Sequence, residues 1–250
     1  MKTEAWTQAV RHQLGLGRLL PLGGPDDGTW ITEQAAVRAL GRAAAEIPGV
    51  WLDSLRIGSA PLEPVPEPAV RPPASALPPG PLRIDAAFTA SLEQPLPETV
   101  DQLRSTLLNA AAERLGLAAV TADLRVTDLH EGPQTAVKSR TAARAVGSEP
   151  ESSPRVTGTG PVREPAGELA DVATGVPGVA RLTTVLGSRP VKVEDHDNPP
   201  GRHIEVHLAV APGHHPLEVA RAVRDAVAAV ATTGTPGPVT VAVLITETAA

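Results

Sequence analysis

Apolar residues recur along this chain at two spacings, every second position and every third or fourth. "LRIDAAFTA" places Ile84, Ala86, Phe88 and Ala90 on one face, and "HIEVHLAV" does the same with Ile204, Val206, Leu208 and Val210. Alternation with one apolar face predicts a half-buried strand in each place. After the first strand, Val100, Leu103, Leu107, Leu108, Ala111 and Leu115 fall on one helical stripe; after the second, Val219, Val223, Ala226, Val227 and Val230 do so. That period predicts two amphipathic helices. Pro97 and Pro216 sit near their starts, where a missing N–H costs least. A final alternating run follows each helix: Val120, Ala122, Leu124 and Val126, then Val239, Val241, Val243 and Ile245.

The same order is therefore written twice. Upstream, "VRALGRAAAEIPGVWLDSLRIG" and "ELADVATGVPGVARLTTVLG" both read as helix, Pro-Gly-Val turn and short apolar strand, with Pro48-Gly49-Val50 matching Pro177-Gly178-Val179. From the helix prolines to the last strands the offset is constant, since 216 − 97 and 239 − 120 both give 119. The pattern predicts a tandem duplication of helix–strand–strand–helix–strand, with an extra strand at "PVKVE" in the second copy. The expected fold class is α+β: two tandem small domains, each a mixed sheet covered by helices. The expected boundaries are an amphipathic segment at 1–24, a first domain at 25–130, a linker at 131–165 and a second domain at 166–250. Residues 61–81 hold nine prolines. They are expected to stay unfolded as an extended surface insert, because proline supports neither a helix nor a central strand. The Gly-, Pro-, Ser- and Thr-rich stretch 131–165 cannot bury a core and reads as disordered.

Composition narrows the chemistry. The formal net charge of −6 argues against general nucleic-acid binding, which needs a basic face. Three Trp, one Phe and no Tyr leave few platforms for stacking bases. The absence of cysteine removes disulfides, zinc fingers, iron–sulfur ligation and thiol nucleophiles, and fits a cytoplasmic chain. No run of about 18 apolar residues is present, so no direct transmembrane insertion is expected. Arg11, His12 and Arg18 interrupt the N-terminal apolar stretches, which argues against a signal peptide.

Five of the seven histidines lie in "EDHDNPPGRHIEVHLAVAPGHHP". The strand alternation turns His203, Glu205 and His207 away from Ile204, Val206 and Leu208, so these three are the candidate metal ligands. His203 and His207 stand about 13 Å apart at about 3.3 Å per residue, too far to share one ion in a regular strand. The plainer expectation is a polar outer face with no metal and no other cofactor. His196 belongs to the turn before this strand, and His214 and His215 to the loop after it. The glycine-rich "GLGRLLPLGG" and "GTGPVREPAG" lack the strand, helix register and Gly-Lys-Ser/Thr end of a phosphate loop. Asp26 and Asp27 sit beside Gly and Pro in a turn and read as local structure. No Gly-x-Ser-x-Gly elbow is present, and no catalytic residue is assigned. Trp6, Val10 and Leu14, spaced by four, with Leu19 and Leu20 behind them, form an apolar stripe. It is read as packing on the first domain or as a docking segment for a partner.

"DGTWITEQAAVRALGRAAAEIPGV" and the later "HIEVHLAVAPGHHPLEVARAVRDAVAAVA" with "VTVAVLI" resemble the opening and closing halves of the alkaline shock, or Gls-type envelope stress response, family. The resemblance spans roughly residues 28–58, 82–129 and 166–247. The chain departs from the family in its two copies, its Pro-rich insert and the helix entry of its second copy. The resemblance implies a non-enzymatic scaffold or interaction module that self-associates or is held at the membrane by a small anchoring protein. The alternative is a small-ligand or metal-binding protein using the cleft between the two domains or the His-rich strand face.

Overall fold

The computed structural model describes residues 17–61, 64–131, 165–184, 189–197, 200–233 and 237–248. The first copy comprises β1 (Leu19–Pro21), β2 (Thr29–Thr32), α1 (Glu33–Ala45), β3 (Val50–Ser59), β4 (Leu82–Ser91), α2 (Leu96–Asn109) and β5 (Ala119–His130). The second comprises α3 (Pro165–Thr174), β6 (Val179–Leu182), β7 (Val191–Asp197), β8 (Pro200–Val210), α4 (Pro216–Ala231) and β9 (Val239–Thr248). They form an α+β fold with two sheets. The smaller runs β3-β4-β5. The larger runs β1-β2-β9-β8, with β6 and β7 both paired along the far side of β8.

The repeated order is visible as repeated geometry. β4 lies antiparallel to β3 and parallel to β5, and β8 lies antiparallel to β6 and β7 and parallel to β9. In each copy the helix between the parallel strands is the crossover that parallel pairing requires. The Pro-Gly-Val turns match as well. Gly49 and Gly178 have φ of 73° and 92°, in the left-handed region that costs glycine least. The Gly49 carbonyl accepts from the Ser91 N–H at 2.8 Å, and the Gly178 carbonyl accepts from the Ala211 N–H at 2.8 Å. A Cβ on Gly178 would stand 2.6 Å from Val219 Cγ2, so any side chain there must push the second crossover helix away.

α1 begins where Thr32 stays extended and its hydroxyl accepts from the Ala35 N–H, a local N-cap. α2 runs on into a π-helical segment, Ala110–Leu115, ended by Gly116 at φ 83°. Its buried residues Leu103, Leu107, Ala111 and Leu115 recur every four positions. An α-helix repeats every 3.6 residues, so such a stripe drifts around the axis; the wider π turn resets the drift.

The copies are not independent bodies. β2, which opens the first copy, pairs in parallel with β9, which closes the second: Thr29 lies opposite Val243 and Ile31 opposite Ile245. Phe88, Leu103, Ile204, Val223 and Ile245 all belong to one continuous buried apolar cluster. α1 packs on both β3 and β9 and so bridges the sheets. The Asp27 carboxylate accepts from the Gly24 N–H at 2.7 Å and from Arg221 Nε and Nη2 at 2.8 and 3.0 Å, tying the β1–β2 turn to α4. The Arg221 hydrogen bonds hold its carboxyl below the ordinary range. The expected boundary near residue 130 thus divides the repeat but not the core, because the first copy donates a strand and a turn to the second.

Two local expectations are corrected. Residues 64–81 of the Pro-rich insert are not unfolded. The Ala69 N–H donates to the Pro25 carbonyl, Leu19 N–H to Ser75, and Leu77 N–H to Leu19, so the insert forms a strap along β1. It closes the back of the larger sheet, where Val70 and Ala76 pack with Leu19, Trp30, Ala242 and Leu244. Proline has no N–H to leave unsatisfied and little chain entropy to lose, which suits such a strap. Val120 does not join the inward stripe of β5. The register shifts between Leu82 and Arg83, opposite it, and Val120 is 57 % exposed.

Candidate functional site

The strap changes the meaning of the His-rich strand. Ile204, Val206, Leu208 and Val210 are buried on the inner face of β8, as the alternation predicts. The opposite face, expected to be outside, is closed over much of its length. In register with β9, Glu205 lies opposite Ala242 and His207 opposite Leu244, and β2 adds Trp30 to that row. The side chains of His207 and Glu205 are 3 % and 11 % exposed, and His207 Nε2 lies 2.6 Å from Glu205 Oε1. The pair is buried and mutually bonded, where the sequence suggests two outward ligands. The reason is tertiary: period-two alternation separates two faces but cannot say that both are covered.

His203 remains half-buried at the rim of that face. Its Nδ1 lies 2.9 Å from the Thr240 hydroxyl. His203, Glu205 and His207 do not form a ligand set. Among the described residues, no three His, Asp or Glu side chains are grouped to hold a metal ion. His196 lies on β7 opposite Gly201, at the start of β8, and His214 and His215 follow its other end, so the outlying histidines do not meet.

Burial pushes the His203 imidazole below its ordinary value. Glu194 and Glu205 pull it up, and Arg71 of the strap and Lys192 push it down. The folded chain therefore favours the neutral ring. The stability from this source is present above the unfolded histidine value of about 6.5 and is lost as pH falls through the lower folded value. Urea midpoints measured from pH 8 to pH 5.5 are expected to decline on acidification, and to decline less in H203Q. Equal slopes in the two proteins would remove His203 as the cause.

The apolar stripe of the N-terminal segment is divided by the structure. Trp6, Val10 and Leu14 lie outside the described residues. Leu19 and Leu20 are wholly buried in β1, Leu19 under the strap and Leu20 in the main core. These two are fold residues and offer no docking surface, because the β1–β2 pairing draws them inward.

Two exposed features remain. One is the outer side of β5, a terminal strand of the smaller sheet. The other is a cleft of about 210 Å³ between α1 of the first copy and the ends of β6, β8 and β9 of the second. Arg38, Arg42, Arg181, Glu247 and Thr248 line it among small apolar residues. Sequence reasoning missed these five. "VRALGR" spaces Arg38 and Arg42 by four, a local signal for one helical side, but nothing local brings Arg181 or Thr248 to them. No helix among the described residues is long and apolar enough to cross a membrane. No family model, curated protein or solved structure matches this chain.

Proposed function

We propose that the protein is a non-enzymatic scaffold that binds another protein by strand addition along β5. The observation that carries this is the contrast between the copies. The outer side of β9 takes β2 as a parallel partner, whereas the repeat-related side of β5 has no strand beside it among the described residues. An open edge presents backbone donors and acceptors to an extended segment, and on β5 the Ala122 carbonyl among them already accepts from Arg104 Nε at 3.4 Å. The other edge of the smaller sheet is blocked: the Ile57 N–H donates to Glu33 Oε1 at 3.1 Å, and the Ile57 carbonyl accepts from Arg18 at 3.2 Å. β5 also has apolar groups at its two ends, with Val120 57 % and Leu129 42 % exposed. The sequence resemblance to the envelope stress response family supports a small membrane-anchoring protein or a second copy as the partner.

Capture from cells with membranes retained tests this. The double variant V120K/L129K places charge along the edge at positions that are already exposed, so its melting temperature is expected to stay within a few degrees of the parent. It is expected to lose the partner that the parent retains. The same partner held equally by both proteins would exclude the β5 edge as the binding surface.

A further inference from the structure

The cleft between the copies carries an inference independent of the strand-edge reading. Arg38 and Arg42 lie one turn apart on α1, both exposed and facing the cleft. Neither makes a hydrogen bond or ion pair with another described residue. Across from them, Arg181 of β6 is bonded to Glu247 of β9 at 2.6 Å, so its charge is met and Glu247 is not free to neutralise the other two. Thr248 completes the lining. Its Oγ1 is buried and has no hydrogen-bond partner among the described residues. Buried hydroxyls are ordinarily bonded, so an orphaned one at a cleft wall marks a place for a ligand oxygen. The cleft lies at the carboxyl ends of the parallel strands β2, β9 and β8, where open α/β sheets commonly take ligands.

The geometry points to a binding site for a small phosphate monoester. Charge selects the class. Two unmatched guanidinium groups call for a dianion, and a phosphoryl group supplies two charges together with three acceptor oxygens. A carboxylate would leave one arginine unmatched. A turn about χ1 brings Thr248 Oγ1 from its buried position to donate to a third oxygen. Ala35, Ala180, Ala209 and Val210 leave an apolar wall for a short carbon chain. The wall has no aromatic ring to stack a base, and the volume of about 210 Å³ suits a small ligand.

The test is thermal unfolding and calorimetric titration of the full chain at constant ionic strength. The probes are glycerol 3-phosphate and inorganic phosphate, with acetate as a monoanion control. Glycerol 3-phosphate is expected to bind and to raise the melting temperature. Removing each arginine is expected to weaken binding about ten-fold or more, so R38Q/R42Q binds at least a hundred-fold less tightly. T248V is expected to bind several-fold less tightly at unchanged melting temperature without ligand. R42Q alone serves as the milder variant if the double one melts early. The proposal is overturned by no binding of either phosphate, by equal binding of acetate, by inorganic phosphate binding without the monoester, or by undiminished binding to R42Q and R38Q/R42Q.

Discussion

Phe88→Ala is expected to lower the free energy of unfolding by about 3–5 kcal/mol, the usual cost of emptying a buried aromatic site. Phe88 is wholly buried and is the sole phenylalanine of the chain. It stands on β4, at the centre of the smaller sheet, opposite Leu52 on one side and Val126 on the other. A loss of this size is a large part of the stability of an ordinary domain. The consequence that matters most is where it is felt. Because one apolar cluster joins Phe88 to Ile204 and Ile245 of the larger sheet, the defect should be shared by both copies. Urea unfolding followed by amide exchange should show β8 and β9 losing protection together with β4 and β5. A transition in which β8 and β9 keep the parent's protection while β4 and β5 melt would mean that the copies are separate folding units.

His207→Leu is expected to destabilise by about 1–3 kcal/mol, because it removes the imidazole bonded to the buried Glu205 side chain at 2.6 Å. A surface histidine changed to leucine would cost little, within about 0.5 kcal/mol. Glu205→Gln should cost less than His207→Leu, about 1 kcal/mol or under, since the amide keeps an oxygen for the imidazole. The ordering of the two variants therefore separates a buried hydrogen-bonded pair from a merely well-packed side chain. Equal small effects in chemical unfolding would place the pair in solvent and reopen the strand face as a ligand surface.

Much of the fold is readable along the chain because its elements follow local rules. Ile84, Phe88, Ile204 and Leu208 alternate and are buried; Leu103, Leu107, Val219 and Val223 repeat at helical spacing and are buried. The two Pro-Gly-Val turns read as equivalents and make equivalent hydrogen bonds. The Asp26-Asp27 turn reads as structural, and Asp27 serves there as the anchor for Arg221. What fails is any inference about a second covering layer. Nine prolines read as a segment without a core, yet Val70, Ala76 and Leu77 among them are enough to seat the strap once β1 and β2 offer a surface. The candidate site suffered the same way. The sequence shows that His203, Glu205 and His207 share a face, but the occupancy of that face depends on residues more than a hundred positions away.

Periodicity and repetition along the chain establish the α+β class, the duplicated order of elements and the inward faces of the strands, since each of these rests on neighbours within a few residues. The exchange of β2 onto β9, the burial of the Glu205–His207 pair, the open side of β5 and the arginine cleft between the copies arise from contacts between distant segments. No spacing rule encodes them, because a strand's edge and its second face are chosen by whatever surface the rest of the chain brings to them.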